Sequence, residues 1–352
     1  MKDIERRKAD HIDISVSEEV RSTYRYWEDV HLVHSALPDV GMEEVDTEAT
    51  FLGRRLSFPL IITAITGGYE KAGEVNRNLA EACERLQIGM GVGSQRASME
   101  GGENSSYHLL GDYDIPLKIG NIGAPQLIDQ GGEVAFGGER MREAMDSLGA
   151  HAMAVHLNFL QEVVQPEGDT QARGCLEAIR ELAAEVPVMA KETGAGISNE
   201  TARRLKGAGV VAIDVSGMGG TSFAKVERYR AERVGSSRGA RLGQTFGEWG
   251  IPAPVSLIWS RVGLPLVASG GVTSGLDMAR AMAMGASCTG LAGAILQDAL
   301  ESADRVVETL ETFREELRAA MFLTGSSDLD QLSRGRYVVM GRTREWLDSE
   351  VF

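Results

Sequence analysis

The segment HLNFLQE, residues 156–162, brings an imidazole, two amides and a carboxylate within seven positions. A single carboxylate beside amides suits one Mg²⁺ shared with substrate phosphates, because Mg²⁺ keeps several waters and rarely sits in an all-protein cage. The bland alternative makes His156 a satisfied core histidine and Glu162 the start of a helix. Two glycine-rich stretches, ASGGVTSG (268–275) and GLAGA (290–294), can present backbone N–H groups to a phosphate. Their glycines could equally serve only to permit tight turns. The run RRKADH (6–11) is the one concentrated basic stretch near the N-terminus. By default it is a solvated face or a flexible arm; it becomes a phosphate clamp only if the fold carries it to a ligand.

These residues need elements to hold them. Short, near-continuously apolar runs recur at 60–66, 88–94, 116–123, 152–160, 186–194, 210–217, 265–271 and 286–293, as strands covered on both faces should. Helix-period stretches lie between many of them, at 76–86, 174–185, 199–209 and 275–286. Alternation of strand and helix predicts a parallel sheet with right-handed crossovers, and eight such units match a (β/α)₈ TIM barrel. An open doubly wound sheet alternates in the same way, but no GxGxxG, no GK dipeptide and no HExxH occurs. We expect a single α/β barrel domain over 1–352, with residues 1–50 as an N-terminal extension and 95–115 and 222–250 as rim insertions. The second insertion is the expected lid. A last amphipathic helix is expected from about Asp298 to Leu323, followed by a polar tail.

Barrel chemistry sits at the C-terminal strand ends. Collected there are Thr66, Gly67 and Gly68, Ser94 and Arg96, Asn121, the HLNFLQE set, Lys191 and Glu192, then Ser216, Gly219, Gly220 and Thr221. The last two strands add Gly270, Gly271, Ala292 and Gly293, at the place where barrels bind phosphate. Amides, hydroxyls, one lysine and glycines suit a flat heterocycle with carbonyl and ring-nitrogen edges.

Composition narrows the partners. The 352 residues carry a formal charge of −15, which argues against a broad nucleic-acid or anionic-membrane surface. Cys83, Cys175 and Cys288 are far apart, so neither a disulfide framework nor a cysteine zinc site is expected. No apolar h-region opens the sequence and no apolar run reaches the ~18 residues of a membrane helix. The expectation is a cytoplasmic globular protein.

Taken together, RKADH (7–11), ITGG (65–68), GVGSQR (91–96), GNIGAPQ (120–126), HLNFLQE, KETGAGIS (191–198), GMGGTS (217–222) and SGGVTSGLD (269–277) resemble the type 2 isopentenyl-diphosphate isomerases. The resemblance runs from residue 7 to about 294 and keeps the family's motif order. It implies an FMN- and Mg²⁺-dependent enzyme, reduced by NADPH, that interconverts isopentenyl and dimethylallyl diphosphate as a homo-oligomer (tetramer or octamer). By the same resemblance Thr66, Gly67, Ser94, Asn121, Lys191, Ser216 and Thr221 are flavin contacts, and Gly271, Ala292 and Gly293 hold its phosphate. Arg7, Lys8, Ser94, Arg96, His156, Asn158 and Gln161 are the substrate set, Glu162 is the metal ligand, and Gln161 and His156 are the catalytic residues. Two departures stand out: Ile65 replaces the family's common Met, and Val272-Thr273 replaces Ile-Arg. The second leaves the flavin phosphate to hydroxyls and backbone.

The implied reaction adds a proton at one end of an allylic unit and removes one from the other. An alkene is a very weak base, so the transition state resembles a tertiary carbocation. Reduced flavin could stabilise that charge and carry the proton, with the barrel supplying orientation. The rival is an FMN oxidoreductase on the same fold, which needs a base for the substrate proton. Hydroxy-acid oxidases commonly place a His before Gly-Gly after strand six, whereas this chain reads SGMGG, and Cys288 lies inside strand eight. A non-catalytic phosphate-binding barrel would explain the glycines but not HLNFLQE.

Overall fold

The computed structural model describes residues 3–67, 72–101, 105–131 and 134–349. Gly68 of the expected site lies outside them. Eight parallel strands close into a barrel: β1 (Leu60–Ile62), β2 (Gly89–Gly91), β3 (Leu117–Gly123), β4 (Ala152–Leu157), β5 (Val188–Glu192), β6 (Ala212–Asp214), β7 (Leu266–Ala268) and β8 (Cys288–Leu291). Their spatial order follows the chain, with β8 paired to β1 through Thr289↔Leu60 and Leu291↔Ile62. The expected strands are present but shorter. The apolar runs continue past the ladder into the loops of the mouth, and β4 stops at Leu157 because Phe159–Val164 turns helical.

Side-chain alternation explains both the core and the mouth. Leu60 and Ile62 face the surrounding helices, whereas Ile61 joins Leu117, Ile119, Ala154, Met189, Ala212, Val267 and Cys288 inside the barrel. A period of two then carries the inward face upward from Ile119 to Asn121, from Ala154 to His156, from Met189 to Lys191 and from Ala212 to Asp214. An apolar layer therefore supports a polar one. Below it, a hairpin of Ala49–Phe51 and Arg54–Leu56 closes the far end, with Ala49, Phe51 and Leu56 packed into the same apolar cluster. Its turn, Leu52-Gly53, has positive φ at both residues, as a tight two-residue hairpin requires.

The expected crossover helices form at Ala72–Leu86, Cys175–Ala183, Asn199–Gly207 and Gly275–Ala283, the last two capped by Ser198 and Ser274. Residues 222–250 fold as two packed helices, Phe223–Arg233 and Ser237–Thr245. The basic N-terminal run is neither arm nor bare face: it lies on the helix Asp3–Ser17, which packs on Phe223–Arg233. Ile14 and Val20 bury themselves against Val226, so any motion of the insertion would carry the N-terminal helix with it.

The C-terminal expectation needs correction. Ser302 breaks the helix into Leu296–Glu301 and Ala303–Thr324, its hydroxyl capping Arg305 N–H. The tail beyond is structured: Tyr337–Val339 pairs antiparallel with Val30–Leu32, and Gly341–Asp348 is helical. The join is electrostatic as well as a ladder. Buried Asp29 accepts bonds from Thr343 N–H (2.8 Å) and Tyr24 O–H (2.7 Å). Asp29→Ala should therefore cost about 2 kcal/mol in denaturant unfolding and speed amide exchange in 337–348 before the barrel strands.

Candidate active site

The barrel mouth holds a cavity of about 280 Å³. Its floor is the polar layer. Lys191 donates to Asp214 (3.0 Å), and Asp214, fully buried, also accepts from Ser269 Oγ. Asn121 donates Nδ2 to Val92 O (3.0 Å), which leaves its Oδ1 to accept from His156 Nδ1 (2.8 Å). This fixes the imidazole tautomer: Nδ1 carries the proton, and Nε2 of the neutral ring is an acceptor. Burial, reinforced by the charges of Lys191, Lys8 and Arg7, pushes the His156 pKa down to about 3, so the ring is neutral near pH 7.

One wall is the short helix that follows β4. Asn158 donates Nδ2 to Glu162 Oε1 (2.7 Å), while Asp169 N–H reaches Oε2 (2.8 Å). Burial raises the Glu162 carboxyl above its ordinary range despite those bonds. The helix reading of Glu162 is thus true locally, yet the carboxylate still faces the cavity. Asn158 Oδ1 is buried without a partner among the described residues. A carboxylate with spare lone pairs beside an orphaned amide oxygen fits one cation. No cluster of three or more His, Cys, Asp or Glu exists among the described residues, so water and substrate oxygens would have to complete its shell.

The roof comes from the N-terminal helix and the insertions. Lys8 Nζ donates to Ser94 O (2.9 Å) and Tyr107 Oη (2.9 Å), while Arg96 pairs with Asp169 (2.6 Å) and Glu100 (2.9 Å). Sequence reasoning missed Glu227. This fully buried carboxylate meets His11 Nε2 (2.7 Å), Gln161 Nε2 (3.1 Å) and Arg230 Nη1 (3.1 Å). Gln165, oriented with Nε2 toward Glu227 (3.1 Å), accepts from Arg7 Nη1 (2.9 Å) through its oxygen. Burial alone would raise the Glu227 carboxyl, but the His11 and Arg230 partners hold it well below the usual range. No motif marks Glu227, and the only signal in the chain was its place in an insertion after β6.

The opposite rim is backbone. Gly270 and Gly271 have positive φ, and a Cβ on Gly271 would come within 2.5 Å of the Gly219 backbone. The two glycine turns after β6 and β7 therefore lean on each other. Replacing Gly271 would disturb the fold whether or not a phosphate binds there. Ser216 has φ of 45°, a strained value for a non-glycine residue and one that clusters at functional sites. Thr66 Oγ1 is buried with no partner among the described residues, a hydroxyl suited to a bound ring or ribityl chain.

The expected flavin, phosphate, substrate and metal sets, within the described range, all line this one cavity: Arg7, Lys8, Thr66, Gly67, Ser94, Arg96, Asn121, His156, Asn158, Gln161, Glu162, Lys191, Ser216, Thr221, Gly271, Ala292 and Gly293. Glu192 does not belong to that lining. Its carboxylate turns into the backbone and accepts from the N–H groups of Gly194, Ala195 and Gly196 at 2.6–2.8 Å, a loop-building role. Cys288 is fully buried in the barrel interior with its thiol pushed far up by burial, which removes it as an acid or base.

The FMN-dependent dehydrogenase family matches residues 139–339. In solved structures, mandelate oxidase with (S)-2-phenylpropionate superposes at a TM-score of 0.58, with 20% identity, over 96% of this chain and 97% of that one, which establishes the fold. Sequence relatives are much nearer. The isopentenyl-diphosphate delta-isomerase of Thermoplasma volcanium is 44% identical over 98% of this chain and 99% of its own. That of Methanothrix thermoacetophila is 48% identical over 97% and 95%. At such identity along nearly the whole length, on an FMN-dependent dehydrogenase barrel, this chain belongs to the isopentenyl-diphosphate delta-isomerase family.

Proposed function

We propose that the protein is a type 2 isopentenyl-diphosphate delta-isomerase, which interconverts isopentenyl and dimethylallyl diphosphate by a 1,3-proton shift. The observation that carries this reading is the meeting of Arg7 and Lys8 with His156, Asn158, Gln161 and Glu162 over one cavity. Cationic side chains on the roof suit a diphosphate head, and a carboxylate with an unpaired amide oxygen suits a Mg²⁺ that the head shares. The partnerless Thr66 hydroxyl and the open glycine rim suit FMN on the floor, with Lys191 at its ring and Gly271, Ala292 and Gly293 at its phosphate. Bound in its reduced form, FMN supplies an electron-rich face that stabilises positive charge developing on carbon.

The chain's own residues do the rest. Arg7 and Lys8 hold the head and so fix where the alkene lies. Gln161, held by Glu227, orients the reacting carbons, since an amide is too weak a base to act alone. Asp214 pairs with Lys191 and fixes where its ammonium lies. The roof excludes water, which would otherwise trap a cation. The oxidoreductase reading lacks its base: SGMGG carries no His, and the Cys288 thiol is sealed in the barrel. The three buried, unpaired thiols suit a reducing cytoplasm; NADPH is the proposed reductant.

The deciding experiment is anaerobic. One stoichiometric reduction should support many turnovers of isopentenyl diphosphate, with solvent deuterium entering the product; consumption of one NADPH per product would favour the oxidoreductase instead. Glu162→Gln should shift the Mg²⁺ requirement at least tenfold upward while FMN stays bound, and an unchanged titration would make the carboxylate structural. Binding of the diphosphate should also place a proton on His156 Nε2. Burial holds the pKa of the free ring down at about 3, and an adjacent phosphate oxygen would raise it. At a pH between the two, binding should therefore take up a proton, readable by calorimetry in buffers of different ionisation enthalpy. His156→Gln should abolish that uptake.

A further inference from the structure

We infer that Arg21 supplies the guanidinium for the cofactor's phosphate, in place of the arginine this chain lacks at position 273. The inference rests on the FMN reading above. Thr273 stands where an arginine was expected, and it lines the cavity beside Gly271 and Gly293. A phosphate dianion seated on backbone N–H groups alone would sit in a protein of charge −15 without a cationic partner.

The chain after the N-terminal helix passes directly over this rim. Arg21 pairs with Thr221 in an antiparallel bridge, Ser22 N–H bonds Gly220 O (2.8 Å), and Ser222 N–H bonds Val20 O (2.8 Å). Lys225 Nζ reaches Arg21 O (2.7 Å), and Trp27 Nε1 reaches Gly270 O (3.0 Å). Residues 20–27 are thereby stitched to both glycine turns, by backbone at Gly220 and by the Trp27 indole at Gly270. From this fixed base the Arg21 side chain lines the cavity, and its Nη2 donates to Gly293 O (3.3 Å), a long bond on the very turn expected to hold the phosphate.

Arg25 is the competing candidate, but its guanidinium is already engaged by Thr273 Oγ1 (2.7 Å), Glu28 (3.0 Å) and Asp277 (3.7 Å), and it does not line the cavity. Its role is to hold Thr273. Among the described residues the Arg21 guanidinium has one carbonyl contact, of 3.3 Å, and still has N–H groups to offer. A fork facing a phosphate is the geometry in which charge-assisted bonds are strongest.

The test compares FMN with riboflavin, which lacks the phosphate, as ligands of the apoprotein. The parent should bind FMN far more tightly than riboflavin; if it binds neither, the FMN reading itself has failed. Arg21→Ala should weaken FMN about 10- to 100-fold, the range of a charge-assisted bond, and leave riboflavin affinity unchanged. Arg21→Lys should retain most of the FMN preference, and adding Thr273→Arg to Arg21→Ala should restore part of it. An unaltered FMN-to-riboflavin ratio in Arg21→Ala, or equal loss of both ligands, would overturn the assignment.

Discussion

A carboxylate taken out of water must be met by donors, and at Glu227 that demand organises the roof of the site. Its partners come from separate parts of the chain: His11 from the N-terminal helix, Gln161 and Gln165 from the segment after β4, and Arg230 from its own helix. Removing one partner of such a buried pair typically costs about 3–5 kcal/mol, because the other is left charged and alone. Gln161 and Arg7 are therefore not placed by their own segments. They are placed by one anion that three elements must agree to cover.

The same accounting of charge runs through the floor. The whole chain is at −15, so its long-range field would repel a diphosphate rather than gather it. The mouth reverses that sign locally with Arg7, Lys8, Arg21 and Lys191. Asp214 offsets part of this charge from beneath, and His156 is kept neutral by its burial, with its cationic neighbours adding to the effect. The cavity is poised to accept negative charge.

Most of the barrel was legible because its signal is local. Eight apolar runs, most ending in Gly or a small polar residue, name the strands, and their C-terminal ends then name Asn121, His156 and Lys191 as mouth residues. The glycine turns were legible for the same reason, although packing of Gly271 on Gly219 shows that these glycines serve the fold as well as any phosphate. What stayed hidden was long-range. Glu227 finds His11 across 216 positions, and Asp29 finds Thr343 across 314. Neither pairing leaves a periodicity or a motif. The polar look of the tail misled because its strand is a three-residue edge that gains its order only from Val30–Leu32. Arg21 was invisible until the backbone showed which rim it crosses.

The hairpin at the foot of the barrel has a kinetic consequence. With Ala49, Phe51 and Leu56 stoppering that end, the cavity opens among the described residues only at the mouth, beneath the N-terminal helix. Two molecules stacked in a blind well cannot trade places. If one ligand rests on Lys191 and another is gripped by Arg7 and Lys8, the lower one must be loaded first and depart last. Addition is therefore ordered by architecture rather than by affinity, and saturation with the upper ligand should slow exchange of the lower one.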